Sequence, residues 1–172
     1  MFAGVSFLSA QEKYITKAGE ILFEASVPSF EEVKARNNGV SAILNPETGE
    51  FAALALIKGF RFKVALMEEH FNENYIESSK YPKATFKGII KEFNISEISE
   101  VKKELKVIGV LNLHGVNKEL ELPLTVSQEN DTLLLQLSFI LKPEEFDIKI
   151  PKIVSSKIAE EVKVTADFSL KQ

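Results

Sequence analysis

Apolar and polar residues alternate with a period of two along most of this chain, the signature of strands with one buried face. Ile21, Phe23 and Ala25 share one face of a segment running from Ile15 to Ser26, with Glu20 and Glu24 on the other. Val40, Ala42 and Leu44 lead into Asn45-Pro46-Glu47-Thr48-Gly49, whose proline and final glycine suit a tight hairpin turn, and Phe51 to Phe62 returns. Further on, Leu105, Val107, Gly109, Leu111 and Leu113 alternate with Lys106 and Asn112, and Leu120, Leu122, Leu124 and Val126 with Glu119, Glu121 and Thr125. Leu133, Leu135, Leu137, Phe139 and Leu141 repeat the pattern, as do Val162, Val164, Ala166, Phe168 and Leu170.

One segment breaks this period. Val64, Met67, Phe71 and Tyr75 are spaced for a single helical face, while Glu68, Glu69, Asn72 and Glu73 occupy the solvated one, which predicts an amphipathic helix over about residues 63–76. The residue before a proline is pushed to extended geometry, so Tyr81-Pro82 is expected to end the helix; Ala84, Phe86, Gly88 and Ile90 then resume the strand pattern. Pro143 ahead of Glu144 and Glu145 predicts a second short helical turn. Many long antiparallel strands, each with one apolar face, must close on themselves or leave edges unpaired, so the expected fold is all-β with one or two short helices. A closed antiparallel, lipocalin-like β-barrel of about eight strands, or a strongly curled sandwich, satisfies it. A barrel of that size is either filled by its own side chains or holds one small ligand, and periodicity does not separate the two.

Three ordered stretches carry a resemblance. The helix followed by Lys80-Tyr81-Pro82, Ala84-Thr85-Phe86 and Gly88, then the run LNLHGVNKELELPL at residues 111–124, then FDIKIP at residues 146–151, together resemble the YceI-like family, lipocalin-like polyisoprenoid-binding proteins of the bacterial envelope. The similarity extends from about Tyr14 to Leu170. It implies an elongated barrel enclosing a long apolar chain, in a periplasmic or secreted bacterial protein. The bulky positions expected to line that cavity are Phe23, Ile57, Phe60, Phe62, Met67, Phe71, Tyr75, Phe86, Phe139 and Phe146. Phe60, Phe62, Met67, Phe71 and Tyr75 could converge at one barrel end, as a mouth for a lipid tail, as a plug, or as both. Before the helix stands Lys63-Val64-Ala65-Leu66 in place of the family's acidic or arginine-rich lead-in, so no head-group contact is carried over.

Composition narrows the chemistry. The chain has 172 residues and no cysteine, which excludes disulfides, thiolate catalysis and cysteine-based metal sites. A net charge of −4 speaks against nucleic acid and anionic membrane surfaces, which need a basic stripe. No run approaches the ~20 apolar residues of a membrane-spanning helix, so no stable membrane insertion is expected. Thirteen phenylalanines without a tryptophan suit a bulky, inert liner. Residues 1–10, uncharged and ending in Ala10, read as the remnant of a secretion signal or as an ordinary N-terminal strand; the resemblance to an exported family favours the former, leaving residues 11–172 as a single barrel domain.

No catalytic or metal constellation emerges. The two histidines, His70 and His114, lie in no His-x-x-x-His spacing and are read as structural, with His114 at a hairpin tip. No cofactor is expected. The leading reading is a binder or carrier of a polyisoprenoid, isoprenoid quinone or fatty-acid-like lipid. Two others stay open: a lipid-modifying enzyme depending on His114 or Asp147, and a solidly packed envelope stress or interaction module. A homodimer is also left open.

Overall fold

The computed structural model of the protein describes residues 12–28 and 30–172, so the expected signal remnant at residues 1–10 lies outside the described residues. The strands are β1 (Tyr14–Glu24), β2 (Lys34–Leu44), β3 (Glu50–Leu56), β4 (Arg61–Phe62), β5 (Lys83–Ile90), β6 (Lys103–Leu113), β7 (Val116–Glu129), β8 (Thr132–Leu141) and β9 (Val162–Leu170). They hydrogen-bond in the order β1-β9-β8-β7-β6-β5-β3-β2, and β1 pairs with β2 to complete the ring. The result is a closed, antiparallel, lipocalin-like barrel. Its eight walls arise because each strand has one apolar face to bury and no edge to spare.

Local chemistry sets the turns. Asn45 and Gly49 close the β2–β3 hairpin through Gly49 N–H donating to the Asn45 carbonyl at 2.9 Å, with Gly49 at φ 74°. His114 and Gly115 join β6 to β7 with φ 52° and 75°, the doubly left-handed geometry of a two-residue hairpin loop. A side chain at Gly115 would meet the Tyr81 ring at 2.7 Å, so that position has room only for hydrogen.

Three expectations need correcting. β2 begins at Lys34 rather than near Val40; its first half reads as polar, yet Asn37 is buried with both ends of its amide used. Asn37 Nδ2 donates to the Leu56 carbonyl and its Oδ1 accepts from Gly39 N–H, both at 2.9 Å. That contact helps interrupt the expected strand from Phe51 to Phe62. The chain leaves β3 at Leu56, makes a 3-10 turn at Ile57–Gly59 held by Ile57 N–H on the Pro82 carbonyl, and rejoins β2 as the short β4.

The helix also differs. Helix α1 spans Ala65–His70 and widens into a π-helical turn at Phe71–Tyr75, sealed by Ile76 N–H on the Phe71 carbonyl at 2.9 Å. It stops at Glu77, whose φ of 47° is left-handed, and not at Tyr81-Pro82. Glu68 is no free surface acid: its carboxylate accepts from Phe62 N–H at 3.1 Å and from Arg61 Nη1 at 3.0 Å, tying α1 to β4. Asn72 likewise donates to the Glu68 carbonyl. The expected turn at Pro143 is present as a 3-10 turn, Pro143–Phe146, and a short helix α2 (Lys152–Ser155) follows it.

Inside, the barrel is divided. Toward one end Val40, Leu44, Val107, Val126, Leu133, Leu135 and Leu170 are fully buried and pack solidly. A layer of rings caps this region, with Phe51 lying 6.3 Å from Phe86 and 5.6 Å from Phe168. Paired glycines make room for it: Gly88 and Gly109 face each other across β5 and β6, and a side chain at Gly109 would meet Phe86 Cζ at 2.7 Å. Gly19 does the same service for Phe168, whose Cε1 would lie 2.8 Å from an added Cβ.

Gly109→Ala should therefore push the Phe86 ring and the β5 backbone apart and destabilise the protein by about 1–3 kcal/mol in urea unfolding. Lys106→Glu, on the outer face where Lys106 pairs with Glu121, should change stability by only about half a kcal/mol. Equal effects from the two would refute the close-packed glycine seam.

Candidate functional site

Above the ring layer the barrel is hollow. A cavity of about 460 Å³ lies there, partly open to solvent and lined almost wholly by apolar atoms. Its volume falls within the ~300–1,000 Å³ of ordinary small-molecule sites. Small residues create the space: Ala55 and Ala84, directly opposed on β3 and β5, stand where the layer beneath has Phe86 opposite Ala53.

Phe23, Ile57, Phe60, Phe62, Met67, Phe71, Tyr75, Phe139 and Phe146 all face this cavity. Phe86 does not. It points to the same barrel interior but one layer too deep, and its ring belongs to the packed floor. The expected convergence is present on one wall, where Phe71 in the π-helical turn lies 5.1 Å from Phe62 and 6.1 Å from Phe60, and Phe23 contacts all three rings at 5.3 to 5.7 Å. Such pairs add about 0.5–1.5 kcal/mol each beyond area burial, so this wall is a rigid plug as well as a liner. Sequence reasoning missed Ala55 and Ala84, which look like filler, and the segment with Ile148, Ile150, Val154 and Ile158, which has no strand period to reveal its inward side.

That segment closes a gap in the wall. β7 and β8 pair only between Leu124 and Glu129; the ladder stops at Pro123, which lacks a donor. Ser138 to Leu141 continue on β9 alone, and the 3-10 turn with Phe146 fills the opening, its ring fully buried beneath the Lys118 ammonium. His114 secures the turn. Its Nδ1 donates to the Phe146 carbonyl at 2.9 Å, and its Nε2 hydrogen-bonds Glu77 Oε2 at 2.9 Å, while the Tyr81 ring lies 4.4 Å away. One side chain thus joins the end of the helical segment, the β6–β7 hairpin and the wall-closing turn. Glu77, His114 and Asp147 are all left-handed, with φ of 47°, 52° and 55°, so the clasp is built where three chain reversals meet. Glu77 as partner was unreadable in the sequence, since it lies 37 residues from His114.

Among the described residues, charged and imidazole groups reach the cavity only at Glu31, His70 and Lys157, all exposed, beside the half-exposed Phe30. These mark its mouth, between the β1–β2 connection, α1 and α2. Asp147 does not line the cavity, and no group of three potential metal ligands occurs among the described residues. No described helix is long and apolar enough to cross a membrane.

His114→Ala should leave the Phe146 carbonyl without its donor and cost about 1–3 kcal/mol in guanidinium unfolding. Hydrogen exchange should accelerate at residues 146–148 more than in β8. Uniform exchange rates across both would show that the clasp holds nothing locally.

Comparison with known proteins accords with this architecture. No curated protein matches the chain in sequence. Among solved structures, a polyisoprenoid binding domain from Saccharophagus degradans, implicated in plant cell wall breakdown, superposes with a TM-score of 0.79 at 15% identity, covering 92% of this chain and 97% of its own. BcnA of Burkholderia cenocepacia gives 0.72 at 17% identity, covering 89% and 96%. A Campylobacter jejuni YceI protein gives 0.62 at 17% identity, covering 85% and 90%. These show a shared fold. The YceI-like domain itself matches residues 14–170, from the first strand of the barrel to its last, and the chain belongs to that family.

Proposed function

We propose that this protein binds a long-chain amphiphile, an isoprenoid, isoprenoid quinone or fatty-acid-like lipid, with its tail in the barrel cavity, and carries it in the bacterial envelope as a periplasmic or secreted protein. The observation behind this reading is the cavity of about 460 Å³, lined almost wholly by apolar atoms. Each buried methylene contributes roughly 0.8 kcal/mol, so enclosure of the tail alone supplies ample affinity without any charged contact. The similar fold of the polyisoprenoid binding domain from Saccharophagus degradans supports the same ligand class. Family membership supports the envelope location.

Catalysis is not part of this proposal. The cavity wall is mostly phenylalanine, isoleucine, leucine, valine and alanine, the ionisable Glu31, His70 and Lys157 stand at its mouth, and His114, which does not line the space, is engaged at both ring nitrogens. Residues 11–172 act as one binding unit. The solidly packed alternative describes only the half below the ring layer.

Mass spectrometry of an organic extract of the purified protein should reveal a stoichiometric long-chain lipid. Phe139→Asp, which places a carboxylate on the cavity wall, should abolish its co-purification while leaving the circular dichroism spectrum unchanged. Phe86→Asp should instead cost the fold, because the charge would lie in the packed floor. Extracts free of lipid, together with no uptake of added isoprenoid, would refute the proposal.

A further inference from the structure

The strap that closes the cavity wall is held by a set of hydrogen bonds that a neutral histidine cannot complete. Residues 142–161, between β8 and β9, belong to no strand, yet Phe146, Ile148, Ile150 and Val154 from this strap line the cavity. Among the described residues, three polar contacts tie it to the rest of the barrel: Ala159 N–H on the Ala25 carbonyl at 2.8 Å, Glu145 with Lys118, and His114 Nδ1 on the Phe146 carbonyl at 2.9 Å. Glu145 and Lys118 are partly exposed, where an ion pair adds little. His114 is buried, so its contact is the firmer one.

Both ring nitrogens of His114 face acceptors. The Phe146 carbonyl has no hydrogen to give, and the Glu77 carboxylate, 2.9 Å from Nε2, has none when ionised. Only the imidazolium, with an N–H on each nitrogen, donates to both. A neutral ring keeps one N–H and turns the lone pair of its other nitrogen toward an oxygen lone pair. The surrounding groups do not relieve this. Lys118 is engaged by Glu145, Lys80 Nζ lies 5.0 Å away over the Tyr81 ring, and Asp147 adds only another carboxylate. Glu77 is half-exposed, which gives the buried ring a route for proton exchange with solvent.

We propose that this clasp is a proton-dependent latch: it is closed while His114 carries a proton on both ring nitrogens, and raising the pH frees the strap from the end of the helical segment and loosens the cavity wall at Phe146. Imidazole is the side chain suited to changing charge in the physiological range. The direction follows from the bonds. Protonation completes two hydrogen bonds and deprotonation leaves one, so the latch is tighter in acid than in base. Its effect on ligand retention rests on the reading of the cavity as a lipid site; the latch itself does not.

Hydrogen exchange of the full-length protein, expressed as protection factors to remove the intrinsic effect of pH, tests the latch directly. Asp147 and Ile148 N–H, which donate to the Glu144 and Pro143 carbonyls, should lose protection at least about tenfold between about pH 5 and pH 8, while amides in β8 keep theirs. Nitrogen NMR at the acid end should show a proton on each ring nitrogen of His114. Glu77→Gln separates protonation from mere contact. A carboxamide accepts from Nε2–H in one orientation and donates to bare Nε2 in the other, so protection in this variant should vary by no more than about twofold across the range. Release of a bound apolar fluorophore should quicken with pH in the wild type and lose that dependence in Glu77→Gln, in which His70 at the mouth is unchanged. A single protonated nitrogen in the protected state, constant protection across the range, or a wild-type pH profile in Glu77→Gln would overturn the latch. A fluorophore that never binds would count against the lipid site and not against the latch, which exchange decides.

Discussion

The contact of the Phe86 ring with the bare backbone at Gly109 is the constraint on which the rest of the barrel depends. Relative to a filled interior, an empty space of about 460 Å³ forgoes packing on the order of 10 kcal/mol, comparable to the ~5–15 kcal/mol net stability of a whole domain. A barrel hollow from end to end would have little left to hold it. Here the strands are long enough to do two things in series, with leucines and valines interlocked in one half and, in the other, an opposed pair of alanines beside a wall of phenylalanines. The ring layer separates them, and the glycine seam lets it sit close enough to seal.

Closing the hollow half required a different device. A central proline removes a ladder donor, so β7 and β8 part at Pro123 just where the cavity begins. The gap is filled by a turn that carries Phe146 inward, and one imidazole holds that turn against the hairpin and against the end of the helical segment. The aromatic wall opposite is tied by Glu68 to β4 and by Asn37 to the break after β3. Glu68, Asn37 and His114 thus each secure a segment that the strand ladder does not reach.

The face of nearly every strand was legible in the sequence, because alternation reports which side of a sheet a residue occupies. Depth along the barrel was not. Phe86 and Ala84 share a face and sit two residues apart, yet one is floor and the other wall, and only the register with β3 and β6 distinguishes them. The interruption at Ile57–Gly59 was invisible for a similar reason: its apolar pattern runs on unbroken, and the cause is a hydrogen bond from Asn37 on a neighbouring strand. The first half of β2 was missed because a buried asparagine reads as polar. The helix was legible in type and face, but its stop at Glu77 depends on a left-handed residue that carries no sequence signature of its own.

Structural agreement at TM-scores from 0.62 to 0.79 with only 15–17% identity is intelligible on the same physics. A strand wall asks for an apolar residue inside and a soluble one outside, and many residues satisfy either demand. The positions without a chemical substitute are fewer. Gly109 must lack a side chain for the Phe86 ring to approach, Gly115 must lack one beside Tyr81, and His114 must offer two ring nitrogens to two acceptors on different segments. A binding function built on such a frame tunes freely, since replacing one wall residue by a larger or smaller one changes the shape of the hollow without touching the elements that hold it open. The shape of the hollow is therefore set by the sizes of a few inward side chains such as Ala55 and Ala84, and hardly at all by charge.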